Sequence, residues 1–425
     1  MIEITDNNAQ HGERVVVVGI QLGAETEWEA EQSLNELEQL VSTAGGEVVA
    51  REMQHRDKPH MRTYIGSGKA EEIAQTVGAE HAQIVVFDAD LSPSQQRNLE
   101  DIIHKVRIID RTGIILDIFA LHAHSAEGKL QVELAQLNYL LPRLRGMWAH
   151  LERQGVGGVG LRGPGETQLE TDRRLMRKRI QHLTKELEEV KKNRYVQRKK
   201  RAKQGIYNVA LIGYTNAGKS TLLNALTGSD VLVEDKLFAT LDSTTRRLNV
   251  DHKKEIVISD TVGFIKKLPH QLIAAFRSTL DELRMADLLL HVVDASHPQM
   301  EAQIAAVEDV LKELEVDSKP QLLVFNKTDL ISELDRMRLK KIYPDSVEAS
   351  AAQGIGLEEI RQAIDENMRK GLIRMHLKVP YTRGDIIQRL YSLCLVVSET
   401  HTADGTEIVV DIPEASTEDY VQFAT

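Results

Sequence analysis

The 425-residue chain predicts an α/β protein built in consecutive pieces. Three observations carry that expectation. Two stretches alternate apolar strand-like runs with helix-like ones, a heptad-spaced segment separates them, and a short hairpin-bearing tail closes the chain. Alternation of this kind favours parallel sheets with helices on their faces.

Within the first stretch, Val15–Val18 is a run of the type a strand buried on both faces requires, and Glu27–Ser42 carries helical apolar spacing at Leu34, Leu37 and Val41. Further strands are expected at Glu47–Ala50, Ile84–Phe87 and Val106–Ile109, with helices at Lys69–Val77 and Pro93–Ile103. Leu130, Leu134, Leu137, Leu141, Leu144, Trp148 and Leu151 then form a heptad seam, and Leu169, Met176, Ile180, Leu183, Leu187 and Val190 a second one. Two such helices predict an antiparallel hairpin, kinked at Pro142, where a backbone donor is missing. Its connection, Arg153–Gly165, holds six glycines in the eleven positions from Gly155.

The second stretch predicts strands at Tyr207–Ile212, Ile256–Ser259, Leu288–Val293, Gln321–Phe325 and Ser346–Ala349. Helices are expected at Lys219–Leu226, Gln271–Met285, Glu301–Leu314 and Leu357–Lys370. The tail reads as a βαββ unit turning at Ala403-Asp404-Gly405. The expected organisation is an α/β subdomain at 1–112, a helical hairpin at 113–204, a nucleotide-binding domain at 205–372 and a small α+β unit at 373–425.

Composition narrows the function classes. Hydrophobic residues at 42% and charged residues at 28% exclude collagen-like and wholly disordered chains. The single cysteine, Cys394, excludes an internal disulfide framework and a multi-thiolate metal site, fits a reducing compartment, and reads as a core residue. None of the 15 histidines makes a metal-ligand pattern, His122 and His124 included. No apolar run approaches the roughly 18–20 residues that cross a bilayer, and the residues after Met1 are acidic and polar. A cytoplasmic protein without a membrane anchor is expected. A net charge of −11 disfavours nucleic acid on average, but Glu170–Lys203 holds 14 Lys/Arg against 5 Asp/Glu.

Four motifs carry chemistry. Gly213, Tyr214, Thr215, Asn216, Ala217, Gly218, Lys219 and Ser220 match the Walker A pattern, between a strand and a helix. Backbone N–H groups there converge on phosphates, Lys219 reaches the β- and γ-phosphates, and Ser220 takes Mg²⁺. Asp260, Thr261, Val262 and Gly263 follow a strand: Asp260 serves the Mg²⁺ shell and Gly263 offers its N–H to a γ-phosphate. Asn326, Lys327, Thr328 and Asp329 follow another, and the Asp329 carboxylate accepts from both N1–H and the exocyclic amine of guanine. Adenine would leave those buried groups unpaired, so the nucleotide is GTP or GDP rather than ATP. Ser350, Ala351 and Ala352 would close over the base with a backbone donor. These motifs place a P-loop GTPase domain in the second stretch.

Nearly the whole chain resembles the HflX family of ribosome-associated GTPases. The resemblance is carried by the glycine-rich connection with Gly163-Pro-Gly-Glu-Thr-Gln-Leu-Glu-Thr-Asp-Arg-Arg174, by Gly213–Ser220, by Phe238, Ala239, Thr240, Leu241 and Asp242, and by Asp260-Thr-Val-Gly-Phe264. It implies an N-terminal α/β and helical region before the GTPase domain, binding to the large ribosomal subunit, and a role in splitting ribosomes under stress. It also implies that Thr240 is the switch-I threonine for Mg²⁺ and γ-phosphate, a choice that chemistry alone leaves open between Thr240, Thr244 and Thr245. Ser243 stands where the family pattern carries proline.

The position that holds a water-orienting glutamine in Ras-like enzymes is Phe264, which cannot hydrogen-bond water. Slow hydrolysis by the protein alone is expected, with help from ribosomal RNA or from a monovalent cation. Asn216 resembles the potassium-ligating asparagine of cation-activated GTPases, although stabilising the loop is an equal explanation. Arg246 and Arg247 fit a strand edge better than in-cis arginine fingers.

Two look-alikes fail on context. Gly155–Gly160 fits G-x-G-x-x-G but follows a helix and precedes Pro164, so a bare-backbone tip that approaches nucleic acid, with Arg153 and Arg162 on phosphates, is the better reading. Gly66-Ser-Gly-Lys69 lacks the first Walker A glycine. Arg194–Lys203, with six basic residues in ten and no acid, adds to Arg173, Arg174, Arg177, Lys178 and Arg179 as a strip for RNA phosphates rather than DNA. The leading expectation is a GTPase coupling its nucleotide to ribosome dissociation or rescue. The alternatives are a GTP-gated ribosome-assembly or RNA-modification factor, for which residues 1–150 show no nucleophile or cofactor motif, and a signalling switch acting on proteins.

Overall fold

The computed structural model describes residues 12–23, 25–104, 106–144, 164–203, 206–228, 237–238, 240, 244–248, 256–267, 282–370 and 372–425. It divides into two compact units. One comprises residues 1–189, 235–241 and 267–276; the other comprises 190–234, 242–266 and 277–425.

The first unit holds a four-stranded sheet of β1 (Arg14–Leu22), β2 (Glu47–Arg56), β3 (Ile84–Phe87) and β4 (Arg107–Asp110), in the order β2-β1-β3-β4 and parallel throughout. Val15–Val18 are buried on both faces, which is why this strand lacks apolar–polar alternation. Helices α1 (Glu27–Thr43), α2 (Ser67–Ala79) and α3 (Pro93–Ile102) alternate with the strands. Thr26 and Ser92 open α1 and α3 with reciprocal capping boxes, each satisfying two otherwise orphaned N–H groups.

The helix α4 (Arg111–His122) starts at the last residue of β4, Asp110, which caps it through the Gly113 N–H. Sequence periodicity does not separate α4 from the next helix, because its apolar residues are buried all round. The expected first seam helix is α5 (Ala126–Leu140). It ends before Pro142 rather than kinking there, since proline both lacks the donor and clashes with the preceding turn. Its buried stripe is also displaced. Gly128, Gln131, Val132, Ala135 and Tyr139 are covered, whereas Leu130, Leu134 and Leu137 are half-buried, because α4 packs on α5. Trp148, Leu151 and the glycine-rich connection through Gly163 lie outside the described residues. The second seam is the 40-residue helix α6 (Pro164–Lys203), with Leu183 and Leu187 buried and Arg179 paired in two hydrogen bonds to Glu133 of α5.

Two buried charge networks sit at the carboxyl ends of β3 and β4. Asp88 accepts from Arg111 (2.6 Å), Ser33 and, within this same unit, Lys267 (2.9 Å), while Arg111 also binds Glu36. Asp110 accepts from Tyr139 (2.8 Å) and Arg143 (3.0 Å). Burial works to raise the pKa of Asp88, but Arg111, Lys267 and Ser33 together hold it below the usual carboxylate range. At Asp110 burial prevails and its pKa is raised.

The second unit holds a six-stranded sheet in the order β10-β9-β8-β5-β7-β6. Its strands are β5 (Tyr207–Gly213), β6 (Thr244–Leu248), β7 (Ile256–Asp260), β8 (Leu288–Asp294), β9 (Gln321–Asn326) and β10 (Val347–Glu348). All pairs are parallel except β6–β7, so Arg246 and Arg247 lie on the antiparallel edge strand. Helices α7 (Lys219–Thr227) and α10 (Leu357–Arg369) cover one face through Leu222, Leu226, Ile360 and Ile364. The helices α8 (Met300–Glu313) and α9 (Glu333–Ile342) cover the other through Ile304 and Leu339. Of the helix expected at Gln271–Met285, residues 271–281 lie outside the described set.

The tail forms the expected βαββ unit: β11 (Leu372–Val379), α11 (Gly384–Leu393), β12 (Leu395–Thr402) and β13 (Gly405–Pro413), with sheet order β11-β13-β12. Cys394 is buried in its core beside Leu390 and Val410.

Replacing Arg111 by methionine leaves Asp88 and Glu36 without their shared cation and is expected to destabilise the first unit by about 3–5 kcal/mol at neutral pH. Because the folded pKa of Asp88 is depressed, its stabilisation is present above about pH 4 and is lost as pH falls through the folded value, so the gap between wild type and variant narrows in acid. Amide exchange of β3 and β4 against pH measures this; a gap that does not depend on pH would refute it.

Candidate nucleotide site

The carboxyl ends of β5, β7, β9 and β10 each deliver a loop to one edge of the second sheet, which is where an open parallel sheet holds its ligands. After β5, residues 214–218 make the turn and α7 begins at Lys219. Gly218 is left-handed (φ 88°), and an added Cβ would lie 2.2 Å from Asn326 Nδ2. Glycine is therefore required for both conformation and space.

Lys219 is buried, and its Nζ donates to the carbonyls of Gly213 (3.2 Å) and Tyr214 (2.7 Å). Burial pushes its pKa down to about 8, against the pull of Asp260. The ammonium is thus folded back onto the loop it serves. The Ser220 hydroxyl donates to Asp260 (2.7 Å), bringing together the two hard oxygen donors expected for Mg²⁺. Thr215 Oγ1 is buried in the same loop without a hydrogen-bond partner among the described residues. These groups fit a Mg²⁺–phosphate ligand.

The Phe264 position, unable to orient water, has a structural use. Its N–H donates to the Gly213 carbonyl (3.1 Å), and its carbonyl accepts from Thr215 N–H (2.7 Å). Phe264 is buried, and the Lys266 N–H bonds to the Tyr214 hydroxyl (2.6 Å), so the segment after Gly263 is stitched to the phosphate loop. Thr261 donates to the Leu211 carbonyl (2.6 Å) beneath it.

At the other end, Asn326 is buried and bridges three loops. Its Nδ2 donates to Ala217 O (2.9 Å), and its Oδ1 accepts from Ala351 N–H (3.0 Å). Thr328 donates from its hydroxyl to Ala349 O (2.9 Å). Lys327 adopts a left-handed conformation (φ 60°) and its Nζ pairs with Asp294 at 2.7 Å. Asp329 is half-buried and its carboxylate has no partner among the described residues. Ser350 exchanges backbone bonds with Ile355, shaping the loop that carries Ala351 and the exposed Ala352.

The structure therefore gathers Gly213–Ser220, Asp260–Gly263, Asn326–Asp329 and Ser350–Ala352 at one sheet edge. Phe238 and Thr240 belong to the first unit, where Phe238 packs edge-on against Phe119 at 4.8 Å. Ala239, Leu241, Asp242 and Ser243 lie outside the described residues. Thr244 and Thr245 lie in β6, with Thr245 bonded to Ser259 across the ladder (2.9 Å). Asn216 is exposed and left-handed (φ 59°).

Sequence reasoning passed over three contributors. Asp294, the last residue of β8, holds Lys327, and Arg336 of α9 donates to Thr328 O, anchoring the Asn326–Asp329 loop. Neither belongs to a short motif; only position in the fold reveals them. His291 of β8 is buried, and burial together with the Lys219 charge pushes its pKa down to about 4, keeping the imidazole neutral.

A strand–loop–helix phosphate cradle, an oxygen pair for Mg²⁺ and a carboxylate suited to guanine define a P-loop GTPase. Residues 31–120 match the family described as GTP-binding GTPase N-terminal, 122–201 its middle region, and 208–327 the 50S ribosome-binding GTPase family. GTPase HflX of Escherichia coli strain K12 is 47% identical over 399 residues, covering 93% of this chain and 92% of that protein. GTPase HflX of Caldanaerobacter subterraneus is 45% identical over 404 residues, covering 95% and 92%. A GTP-binding protein from Sulfolobus solfataricus, solved with GDP, is similar at 25% identity and TM-score 0.43, covering 84% of this chain and 98% of its own. The chain belongs to the HflX family of GTPases and hydrolyses GTP.

Two substitutions separate base reading from loop architecture. Asp329→Asn is expected to lower GTP affinity by about two orders of magnitude and to raise affinity for xanthosine triphosphate. Calorimetry with both nucleotides decides, and an unchanged GTP:XTP ratio would exclude Asp329 as the base reader. Asn326→Ala leaves two buried backbone groups unpaired and should destabilise the second unit by about 2–4 kcal/mol while weakening GTP and GDP alike. A loss confined to GTP would contradict the bridging role.

Proposed function

We propose that this GTPase binds the large ribosomal subunit through its RNA and couples GTP binding and hydrolysis to ribosome dissociation or rescue. The observation that carries the reading is helix α6. Along it Arg174, Arg177, Lys178, Lys185 and Lys192 are exposed, an electrostatic footprint of the kind that neutralises phosphates. The match of residues 208–327 to the family described as 50S ribosome-binding GTPase supports the same reading. In this reading the division of labour runs over four segments: 1–112 is an α/β subdomain, 113–204 meets the ribosome, 205–372 holds nucleotide, and 373–425 is an accessory unit.

The chemistry assigned to the site rests on position and charge. Lys219 leaves its carbonyls for the β- and γ-phosphate oxygens, and its charge offsets the negative charge of the transferring group. Ser220 and Asp260 would hold Mg²⁺, with Thr240 as the further ligand that the family resemblance implies, and the ion would neutralise charge on the phosphates. Gly263 supplies an N–H to the γ-phosphate. Since Phe264 is committed to the phosphate loop and offers water nothing, the remaining stabilisation comes from the ribosome, or from K⁺ held at the exposed Asn216.

Turnover measured with and without large subunits is expected to rise at least several-fold with them, and sedimentation is expected to show subunit binding under GTP that weakens under GDP. Equal rates together with nucleotide-independent sedimentation would sink the reading. Exchange of K⁺ for Na⁺ in the same assay tests Asn216.

A further inference from the structure

We infer that the turn between β2 and α2, residues 57–64, is a second RNA contact, separate from α6; this rests on the ribosome-binding reading above. Residues 12–144 are acidic, with 12 Lys/Arg against 21 Asp/Glu, so a polyanion is repelled by most of this surface. The turn is the exception. Arg56, Lys58 and Arg62 cluster there around one acid, Asp57, with His55 and His60 nearby.

The cations are displayed rather than neutralised. Elsewhere in residues 12–144, Arg14, Arg51, Lys69, Arg107, Arg111 and Arg143 are paired with carboxylates, while Lys129 is exposed and, among the described residues, pairs with none. Lys58 and Arg62 are exposed and, among the described residues, pair with none; Arg97, beside Asn98 of α3, is likewise exposed and unpaired. Met61 of the same turn is 94% exposed, an apolar, polarisable side chain able to lie against a base face.

The turn is also held in shape before any partner arrives. His60 and Tyr64 exchange backbone bonds (2.7 and 2.8 Å), and His60 Nδ1 bonds the Thr63 hydroxyl (2.9 Å). Thr63 in turn donates to Ile65 O (2.6 Å). From α3, Asn98 donates to Arg62 O (2.8 Å) and Gln95 to the carbonyls of His60 and Met61. Thr63 and Ile65 are buried beneath the tip. With the backbone fixed by its own contacts, Lys58, Met61 and Arg62 are exposed together with Pro59 and the one acid, Asp57, and little ordering entropy remains for binding to cost. Cations on phosphates fix orientation, and a side chain against an unstacked base suits RNA, whose loops expose such faces.

The test uses the full chain and purified large subunits in a cosedimentation series from low to high salt. Lys58→Ala with Arg62→Ala is expected to weaken binding about tenfold and to flatten the slope of log affinity against log salt by about 1.5. Met61→Ala should weaken binding several-fold at unchanged slope. GTP affinity and thermal unfolding should match wild type in both, which removes misfolding as an explanation. Wild-type affinity and slope in the double variant, while alanines at Arg198–Arg201 of α6 still weaken binding, would overturn the turn contact and leave the ribosome reading standing. Weaker binding of the double variant with an unaltered slope would mean a protein partner and would overturn it too. Failure of wild type to sediment with subunits would remove both readings together.

Discussion

A single carboxamide holds the nucleotide site in register. Asn326 donates to the phosphate loop through one atom and accepts from the Ser350–Ala352 loop through another, so its planar amide fixes the distance between phosphate end and base end. The arrangement works because the group is buried, where an unmet donor or acceptor costs more than it does in water. It also dictates its neighbour: the approach of Nδ2 to Gly218 leaves no room for a side chain. Lys327 is clamped by Asp294, and the carbonyl of Thr328 is held by Arg336, so the loop that presents Asp329 is fixed from both sides. A site set this firmly before binding loses little freedom when nucleotide enters.

The two parallel sheets use the same edge in opposite ways. In the second unit the carboxyl ends of the strands open into the loops that gather the nucleotide motifs. In the first, the corresponding ends are Asp88 and Asp110, closed off by Arg111, Arg143 and Tyr139. Charges satisfied in this way rigidify a scaffold but leave no amide nest for phosphate. The Walker-like Gly66-Ser-Gly-Lys69 shows the same difference. Lys69 is engaged by Glu52 at 2.6 Å and by Glu72 at 3.0 Å, where Lys219 rests on backbone carbonyls that phosphate oxygens can replace.

Most strands in both sheets were legible because a strand buried on two faces must be a continuous apolar run, which the half-exposed edge strand β6 lacks, and the nucleotide motifs because each is local in sequence. The helical segment was read less well. Its leucine heptads predicted which face would be covered, yet α5 buries Gly128, Gln131, Val132, Ala135 and Tyr139, since α4 was invisible to periodicity and takes part of the packing. Pro142 was a clear signal of disruption, but only the chain's subsequent course distinguishes a kink from an end. Phe264 was noticed for what it cannot do. Its backbone pairing with Gly213 and Thr215 has no signature, because any residue but proline carries the same N–H and C=O.

The sequence by itself determined most of the order of elements (though not α4, β6 or α9), the phosphate cradle, the choice of guanine and the concentration of positive charge on α6, because each depends on residues close together along the chain. Tertiary structure alone decided that Asn326 ties three loops, that Asp294 and Arg336 hold the Asn326–Asp329 loop, and which of the described cations are committed to ion pairs. Apart from Arg336, eight residues from Thr328, those outcomes depend on side chains brought together from strands and helices tens of residues apart, and hydrogen bonding at that range is set by the packing of the sheet rather than by any local pattern.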